Sequence, residues 1–399
     1  MTNTTNEVWI TGIGMVSCMG EGAATHWQAL SGDKAPKAVI DTETFKPYAV
    51  HPLPEMDWAL QMPRKDQRQM ENWQRLGVYA AGLALDDAGI KDKEELVSTM
   101  DLVVCAGGGE RDLETDENIL KEAKTRNDRD LILNERLPQD LRPTLFLAQL
   151  SNLMAGNISI VHKVTGSSRT YMGEESAGIT AIRDAVSRIA HGQSTHLLVG
   201  GGYNAERPDL FLNMELAHFL AQNTSAPVEA RQKDGGGLIP GSAGVFLVLE
   251  SAEHAKARGA KAYAKLSSIA SDLGPREADE TKKRLHAMID ELKVEPASSL
   301  AVITGSTGCK GVTEWEFDTI RARLGMEVPI RAYTSMIGNP IEANFPFAIA
   351  LASLALHNNS FYPSFEETEK PVKMSPNTVM VSTVGHYRGE GFALVEKIT

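Results

Sequence analysis

Residues 167–191 most constrain what this chain can fold into, because they predict a strand, a tight turn at Gly173 and an amphipathic helix in direct succession. The helical spacing is carried by apolar residues: Ala177, Ile179, Ala181, Ile182, Ala185 and Ile189. Many enzymes place a nucleophile at such a bend, since the helix N-terminus offers amide donors and a positive dipole to a developing anion. Here the bend carries Glu174 and Glu175 instead of cysteine or serine.

The formal net charge of −12 at pH 7 argues against a nucleic-acid surface. At 399 residues, with 42% hydrophobic and 23% charged residues, the composition is that of a globular protein with a sizeable core. The N-terminal residues lack a basic stretch followed by a long apolar core, and no apolar run approaches the ~20 residues that span a bilayer. We therefore expect a cytoplasmic protein without a membrane span.

No cofactor or metal is expected. Gly12 and Gly14 occupy two positions of a dinucleotide-binding fingerprint, but Ser17 stands at the third glycine, so the pattern fails. The three cysteines are far apart and form no CxxC pair: Cys18, Cys105 and Cys309. This spacing argues against a metal site or a disulfide framework and fits a reducing compartment.

Strands that run into glycines alternate with helices throughout the chain, which indicates α/β layers. The pattern predicts a long helix over residues 66–89, a helix over 145–157 and a short strand over 158–161. The second half repeats the organisation of the first, with a seam near residues 253–261. Two such lobes predict a cleft fed by the carboxyl ends of the strands.

Five segments, in this order, resemble one known family: VWITGIGMVSCMG, RQMENWQRLGVYAAGLALDDAG, AGNISIVHKVTGSSRTYMGEESAGITAIRDA, LIPGSAGVFLVLESAEHAKARGAKAYAKL and SMIGNPIEANFPFAIALASLAL. The family is that of the β-ketoacyl-acyl-carrier-protein synthases of the thiolase superfamily, the elongating ketosynthases. The resemblance covers essentially the whole chain. It depends on the order and spacing of the segments, of which AEHAKARGAKAYA is the most specific.

The resemblance implies an α/β, thiolase-like five-layer αβαβα fold made of two duplicated halves. These are residues 1–252, with cap insertions, and residues 253–399. It also implies a dimer, with the strand at residues 168–172 as its edge. Members condense a thioester-bound acyl chain with malonyl carrier protein. A cysteine at the bend takes the acyl group, two histidines assist decarboxylation and stabilise the enolate oxygen, and a lysine supports one histidine.

The chain departs from the family at all four of these positions. The family's cysteine falls on Glu175, its first histidine on Thr304, its lysine on Thr334 and its second histidine on Asn339. The glycine-phenylalanine loop that gates the family's acyl pocket has no clean match, and residues 385–389 occupy that region.

These side chains do not replace the lost chemistry. Attack by the Glu175 carboxylate on a thioester gives a mixed anhydride uphill of the thioester. Thr304 and Asn339 donate hydrogen bonds but do not take up and return a proton near pH 7, although an asparagine is able to hold an oxyanion. Because a catalytic set acts as a unit, we do not expect the chain to condense alone.

Three roles remain open for Glu175. The first is structural, because a carboxylate at a helix N-terminus is stabilised by ~0.3–1 kcal/mol. The second is electrostatic: its charge mimics an acidic intermediate or binds a residue of a neighbouring subunit. The third is activation of water for thioester hydrolysis, which ranks last because the sequence shows no acid partner.

Other polar residues favour structural roles. Cys309 is expected to be a packed residue rather than a nucleophile, and His386 an exposed or core histidine rather than one facing the pocket. Residues 206–209 are expected to form a solvated loop, with recognition of a carrier-protein phosphate by Arg207 as the alternative. Residues 235–237 predict a flexible turn rather than a phosphate cradle.

The sequence thus predicts a ketosynthase-like protein of bacterial fatty acid or polyketide biosynthesis that pairs with an active ketosynthase paralogue, or with itself, and sets chain length. Its expected carrier is an acyl carrier protein. The negative net charge of the chain does not exclude a local basic patch that would bind such an acidic partner. NERLPQDLRPTLFLAQLSN, GNISIVH and GEESAG also resemble the paralogue that accompanies very-long-chain fatty acid synthesis for lipid A in alphaproteobacteria. The alternatives are a condensing enzyme, thioesterase or decarboxylase with relocated residues, and a scaffold that binds carrier protein.

Overall fold

The computed structural model describes residues 5–32 and 36–398, so the first four residues of the N-terminal segment discussed above lie outside it. Within this part of the chain there are eleven strands: β1 (Val8–Ser17), β2 (Gly20–Glu21), β3 (Asp101–Cys105), β4 (Ser168–Tyr171), β5 (His196–Tyr203), β6 (Ala243–Ser251), β7 (Ala264–Asp272), β8 (Leu300–Thr304), β9 (Ile330–Ala332), β10 (Thr378–Val384) and β11 (Glu390–Glu396).

The helices of the same part of the chain are α1 (Ala23–Ser31), α2 (Arg64–Gln67), α3 (Asn72–Asp87), α4 (Glu94–Val97), α5 (Leu113–Ala123), α6 (Arg129–Asp140), α7 (Leu145–Gln149), α8 (Asn152–His162), α9 (Glu175–Ala190), α10 (Pro208–Leu216), α11 (Val228–Arg231), α12 (Ala252–Ala257), α13 (Ala278–Leu292), α14 (Val312–Leu324), α15 (Thr334–Ile337) and α16 (Asn344–His357). Short 3₁₀ turns cover Trp58–Leu60, Gln232–Asp234 and Ile341–Ala343. None of these helices combines the length and apolar character that a bilayer span requires.

The strands form one mixed sheet in the order β4-β3-β5-β6-β1-β7-β11-β10-β8-β9, with β2 paired to β1. β1 and β7 join its two halves through the pairs Trp9–Lys265 and Ile10–Ala264. Each half has three parallel strands followed by two antiparallel ones, and the chain visits the strands of both halves in the same order. The duplication of the fold is therefore visible in its topology, while the boundary at residues 252/253 remains a prediction.

Five layers follow from the packing. α9 and α16 lie between the two half-sheets, α3 and α8 cover the outer face of the first, and α13 and α14 cover the outer face of the second. α16 suits the central layer because its sequence, NFPFAIALASLALH, is apolar almost all round. This is the thiolase-like α/β architecture, and it brings the carboxyl ends of β4, β3 and β5 together at one edge.

Three predicted elements were wrong. The helix over residues 145–157 is divided into α7 and α8, because Leu150 adopts an extended conformation between them. The helix over residues 66–89 is interrupted, because Glu71 and Gln74 form a capping box that starts α3 at Asn72. The strand over residues 158–161 is the last part of α8, where Ile158 packs into the core. A short apolar run cannot be assigned to helix or strand from periodicity alone.

Candidate functional site

The bend at residues 173–175 has the predicted strand–turn–helix form. β4 ends at Tyr171, Gly173 has a φ of 127°, and Glu175 is the first residue of α9. Glu174 has a φ of 57° and a ψ of −140°. A non-glycine residue in this left-handed conformation costs on the order of 1–3 kcal/mol, and such strain concentrates at functional sites.

Glu175 is completely buried and forms an ion pair with His386. The His386 Nδ1 lies 2.9 Å from Oε1 and 3.0 Å from Oε2 of Glu175, and the His386 backbone N–H donates to Oε1 at 3.2 Å. Burial alone would raise the pKa of Glu175, but the charge and hydrogen bonds of His386 outweigh it and lower that pKa. Burial alone would lower the pKa of His386, but the charge and hydrogen bond of Glu175 outweigh it and raise that pKa. Both shifts favour the charged pair.

The loop at residues 385–389, which joins β10 to β11, closes over the bend. Its ends are held by a 2.8 Å hydrogen bond from Gly385 N–H to the Gly389 carbonyl. Gly389 has a φ of 91°, and a Cβ there would lie 2.6 Å from the Cβ of Ser176. Only glycine therefore lets the loop bring His386 onto Glu175. The sequence favoured an exposed or core histidine over one that faces the site. His386 is buried, but it lies against Glu175 at the bend, a contact that the sequence did not show.

The other three predicted positions join one hydrogen-bond network in the second half. Thr304 donates to Glu316 at 2.5 Å and accepts from Ser306 N–H at 2.9 Å. Thr334 donates to the Ser306 carbonyl at 2.6 Å. The side chain of Asn339 accepts from Ile341 N–H and Asn344 Nδ2, and Asn344 Nδ2 also reaches the carbonyl of Gly305. These contacts are those of a packed polar core, although Asn339 Nδ2 has no hydrogen-bond partner among the described residues.

The three thiols are unsuited to nucleophilic attack. All are buried. Burial raises the pKa of Cys18 and of Cys309 to about 12, and it raises that of Cys105 as well. Because the thiolate is the reactive form, none of them is an evident substitute for a cysteine at the bend. The packed role predicted for Cys309 is confirmed.

The segment predicted as a solvated loop at residues 206–209 is different in the structure. Arg207 is only 8% exposed, and Pro208 and Asp209 begin α10. Its guanidinium donates to the carbonyls of Gly108 and Gly109 and to Asp209. These bonds hold Arg207 inside the protein and occupy the donors that a carrier-protein phosphate would need. Residues 235–237 form the predicted turn, with a positive φ at all three glycines.

One group of side chains has the composition of a metal site. Glu174, Glu175 and His386 each offer a ligand atom, and these atoms lie within 4.8 Å of one another. The Nδ1 of His386, however, already hydrogen-bonds to both carboxylate oxygens of Glu175. A proton on the imidazole thus supplies the positive charge that these carboxylates require.

Comparison with known proteins agrees with the fold. The family model described as "Beta-ketoacyl synthase, N-terminal domain" matches residues 5–255. The 3-oxoacyl-[acyl-carrier-protein] synthase 2 of Vibrio cholerae is 29% identical over 267 residues, which cover 65% of this chain and 61% of that protein. This chain therefore matches less than two thirds of that relative.

Two solved structures show the same fold over 99% of this chain and all of the other. One is a β-ketoacyl synthase from Burkholderia phymatum, with a TM-score of 0.81 and 20% identity. The other is the ishigamide ketosynthase/chain length factor, with a TM-score of 0.79 and 19% identity. The chain belongs to the β-ketoacyl synthase family. It is a ketosynthase-like protein whose bend carries a buried carboxylate.

Proposed function

We propose that this protein is the non-condensing, chain-length-determining partner of an active ketosynthase in bacterial fatty acid or polyketide biosynthesis. The supporting observation is the buried Glu175–His386 ion pair at the bend. A carboxylate held by a cation and two hydrogen bonds is a poorer nucleophile than a free one. The chain has no thiolate to replace it, since burial raises the pKa of all three cysteines.

The proposed carrier of the acyl chain is an acyl carrier protein, as named in the Vibrio relative. The name of the ishigamide structure pairs a ketosynthase with a chain length factor, which is the arrangement proposed here. The partner would add at β4, which is the outermost strand of the sheet and pairs with β3. Ser168 and Arg169 on this strand are exposed, as are Ile160 and Met172 beside it. An unpaired strand edge flanked by apolar side chains suits a subunit interface.

The test is incubation of the purified protein with acyl carrier protein thioesters, alone and with candidate active paralogues. Intact-mass spectrometry would detect an acyl adduct, and labelled malonyl carrier protein would report CO2 release. We expect neither from this chain alone. With its active partner we expect co-purification and a product length that changes when this subunit is exchanged. An acyl adduct on this chain, or CO2 release without a partner, would falsify the proposal.

A second candidate function, hydrolysis of acyl thioesters, is favoured by the same carboxylate–imidazole pair, because it supplies the acid partner that the sequence did not show. Free acid released by the chain alone, and lost in both Glu175→Gln and His386→Ala, would establish this alternative. Carrier-protein binding without hydrolysis, and without any effect on a paralogue's product, would indicate a scaffold.

A further inference from the structure

A small polar cavity lies beside the bend, at the carboxyl ends of β3 and β5. Its volume is about 50 Å³, room for one or two water-sized groups. It is lined by the loop after β3, the end of β5, the start of α3 and the turn before α16, including Trp73, Tyr203 and Glu342. We call it the Glu342 cavity.

Three of its lining side chains carry a buried polar atom that has no hydrogen-bond partner among the described residues. These atoms are Trp73 Nε1, Tyr203 Oη and Glu342 Oε2. The side chains are 3%, 7% and 6% exposed, respectively. A buried polar group without a partner costs about 1–3 kcal/mol, and native structures contain few of them. Three around one cavity indicate that a bound oxygen, from water or from a ligand that displaces it, completes their hydrogen bonds.

The chemistry of the lining limits the class of ligand. An indole N–H only donates, so the ligand must accept a hydrogen bond from Trp73. Tyr203 is able to donate to the same atom. An anion would be disfavoured by the adjacent Glu342 carboxyl group. The nearby guanidinium of Arg207 does not compensate, because it already donates to backbone carbonyls and Asp209. A cation would face the two donors. An uncharged oxygen satisfies all three groups.

The Glu342 cavity is also close to the bend, where the resemblance places the family's acylated cysteine. β4, which leads into the bend, is hydrogen-bonded to β3, and β3 to β5, so their carboxyl ends are neighbours. Gly178, in the first turn of α9, lies so near that a Cβ there would be 2.3 Å from the Glu342 carbonyl oxygen. The charges of Glu174 and Glu175 help to raise the pKa of Glu342 to about 7, after burial as the main cause.

We infer that the Glu342 cavity binds an uncharged oxygen substituent, a hydroxyl or a ketone, on the acyl chain that this protein accommodates. The inference rests on the proposed function, since it requires an acyl chain beside the bend. Trp73 and Tyr203 donate to the oxygen, and Glu342 accepts from a hydroxyl or, when protonated, donates to a ketone. The chain would thereby distinguish oxygenated acyl groups from plain alkyl ones.

The test is calorimetric titration of the full chain with pantetheine amides of one chain length. One amide is unsubstituted, others carry a hydroxyl or ketone at each position in turn, and one ends in a carboxylate. We expect an oxygen at one position to raise affinity about 5- to 10-fold. Tyr203→Phe should remove most of that gain, so that substituted and unsubstituted amides bind with similar affinity. Tyr263→Phe is the matched control and should keep the gain, because the Tyr263 hydroxyl bonds Asp87.

The outcomes separate this inference from the proposed function. Equal affinity for all uncharged amides, a gain that survives Tyr203→Phe, or tightest binding of the carboxylate would overturn the inference alone. If no amide binds, with or without an oxygen, both the acyl site and the inference are rejected. Acyl transfer to the chain itself would reject the proposed function while the oxygen preference is measured independently.

Discussion

The bend and the Glu342 cavity lie at the same edge of the sheet, yet their buried carboxyl groups differ in hydrogen-bond partners and in the direction of their pKa shifts. Glu175 at the bend accepts hydrogen bonds from two donors of His386, the backbone N–H and the Nδ1–H that lies between its two oxygens, and its pKa is lowered. Glu342 at the cavity has one oxygen without a hydrogen-bond partner in the part of the chain that the structure describes, and burial raises its pKa to about 7. The bend is therefore a completed ion pair, whereas the cavity has hydrogen-bonding capacity left for a ligand.

Breaking the ion pair should have the largest effect. His386→Ala leaves the Glu175 carboxylate buried without a counter-charge, and we expect it to lower the free energy of unfolding by about 3–5 kcal/mol. Urea denaturation near neutral pH measures this. The double variant Glu175→Gln/His386→Ala is the control and should be more stable than His386→Ala, because no charge is left. A loss under about 1 kcal/mol for His386→Ala would contradict a charged pair.

The pair's contribution should also be confined to a pH window. The raised pKa of His386 stabilises the fold below the ordinary value of 6.5, and this contribution is lost as pH rises through the folded pKa. The lowered pKa of Glu175 stabilises the fold above 4.5, and this contribution is lost as pH falls through the folded pKa. The stability difference between wild type and Glu175→Gln/His386→Ala should therefore be greatest between pH 4.5 and 6.5. A flat difference across the titration would show that the pair is not ionic.

Glu342 should behave in the opposite sense. Burial and, after it, the charges of Glu175 and Glu174 raise its pKa from 4.5 to about 7 on folding, against the opposing charge of Arg207. The fold therefore loses stability as pH rises between these values, by on the order of 3 kcal/mol. Glu342→Gln should stabilise the protein by that order at pH 8 and change little at pH 4. Glu291→Gln, at an exposed position on α13, is the matched control for loss of one carboxylate.

A smaller difference in stability is expected between the Phe variants of two buried tyrosines, Tyr263 and Tyr203. The Tyr263 hydroxyl donates to Asp87 at 2.8 Å, so Tyr263→Phe should cost about 1–3 kcal/mol. The Tyr203 hydroxyl has no partner among the described residues, so Tyr203→Phe should be neutral or slightly stabilising. Thermal denaturation of the ligand-free protein measures both. An equal loss in the two variants would mean that Tyr203 is already bonded, for example to an ordered water.

The smallest expected effect concerns the cysteines, which should not react with an alkylating reagent in the native protein. Burial raises the pKa of all three thiols, so iodoacetamide at pH 8 should leave the native protein unalkylated and modify three cysteines after denaturation. Peptide mass spectrometry distinguishes the sites. Rapid native alkylation of Cys309, the thiol whose pKa is influenced by the Glu175 charge, would reopen the search for a nucleophile.

Local patterns determined how much of the fold was predictable. The strand–turn–helix at residues 167–191 and the alternation of strands and helices depend on short-range periodicity, which the sequence displays directly. The break before α3 depends on a capping box between Glu71 and Gln74, and it was missed within a longer apolar pattern. The end of α8 was missed because its short apolar run fits either type of element.

The site was predictable only in part, because its key contacts join distant parts of the chain. Glu175 was identified from its place at the bend, but His386 is 211 residues away. Arg207 lies in a polar stretch that suggests solvent, yet its partners are carbonyls 98 and 99 residues earlier. The Glu342 cavity likewise collects Trp73, Tyr203 and Glu342 from three elements, and nothing local to any of them signals the others.

The position of α16 has a consequence for how the chain acquires its fold. The helix is buried from Asn344 to Leu356 and touches β10 and β11 of one half-sheet and β6 of the other. Neither half-sheet alone covers all sides of α16. An isolated C-terminal fragment would therefore expose an apolar helix to water and aggregate. During synthesis the N-terminal half leaves the ribosome before α16 has been made. Its inner face therefore becomes fully covered only after α16, the last helix, has been synthesised.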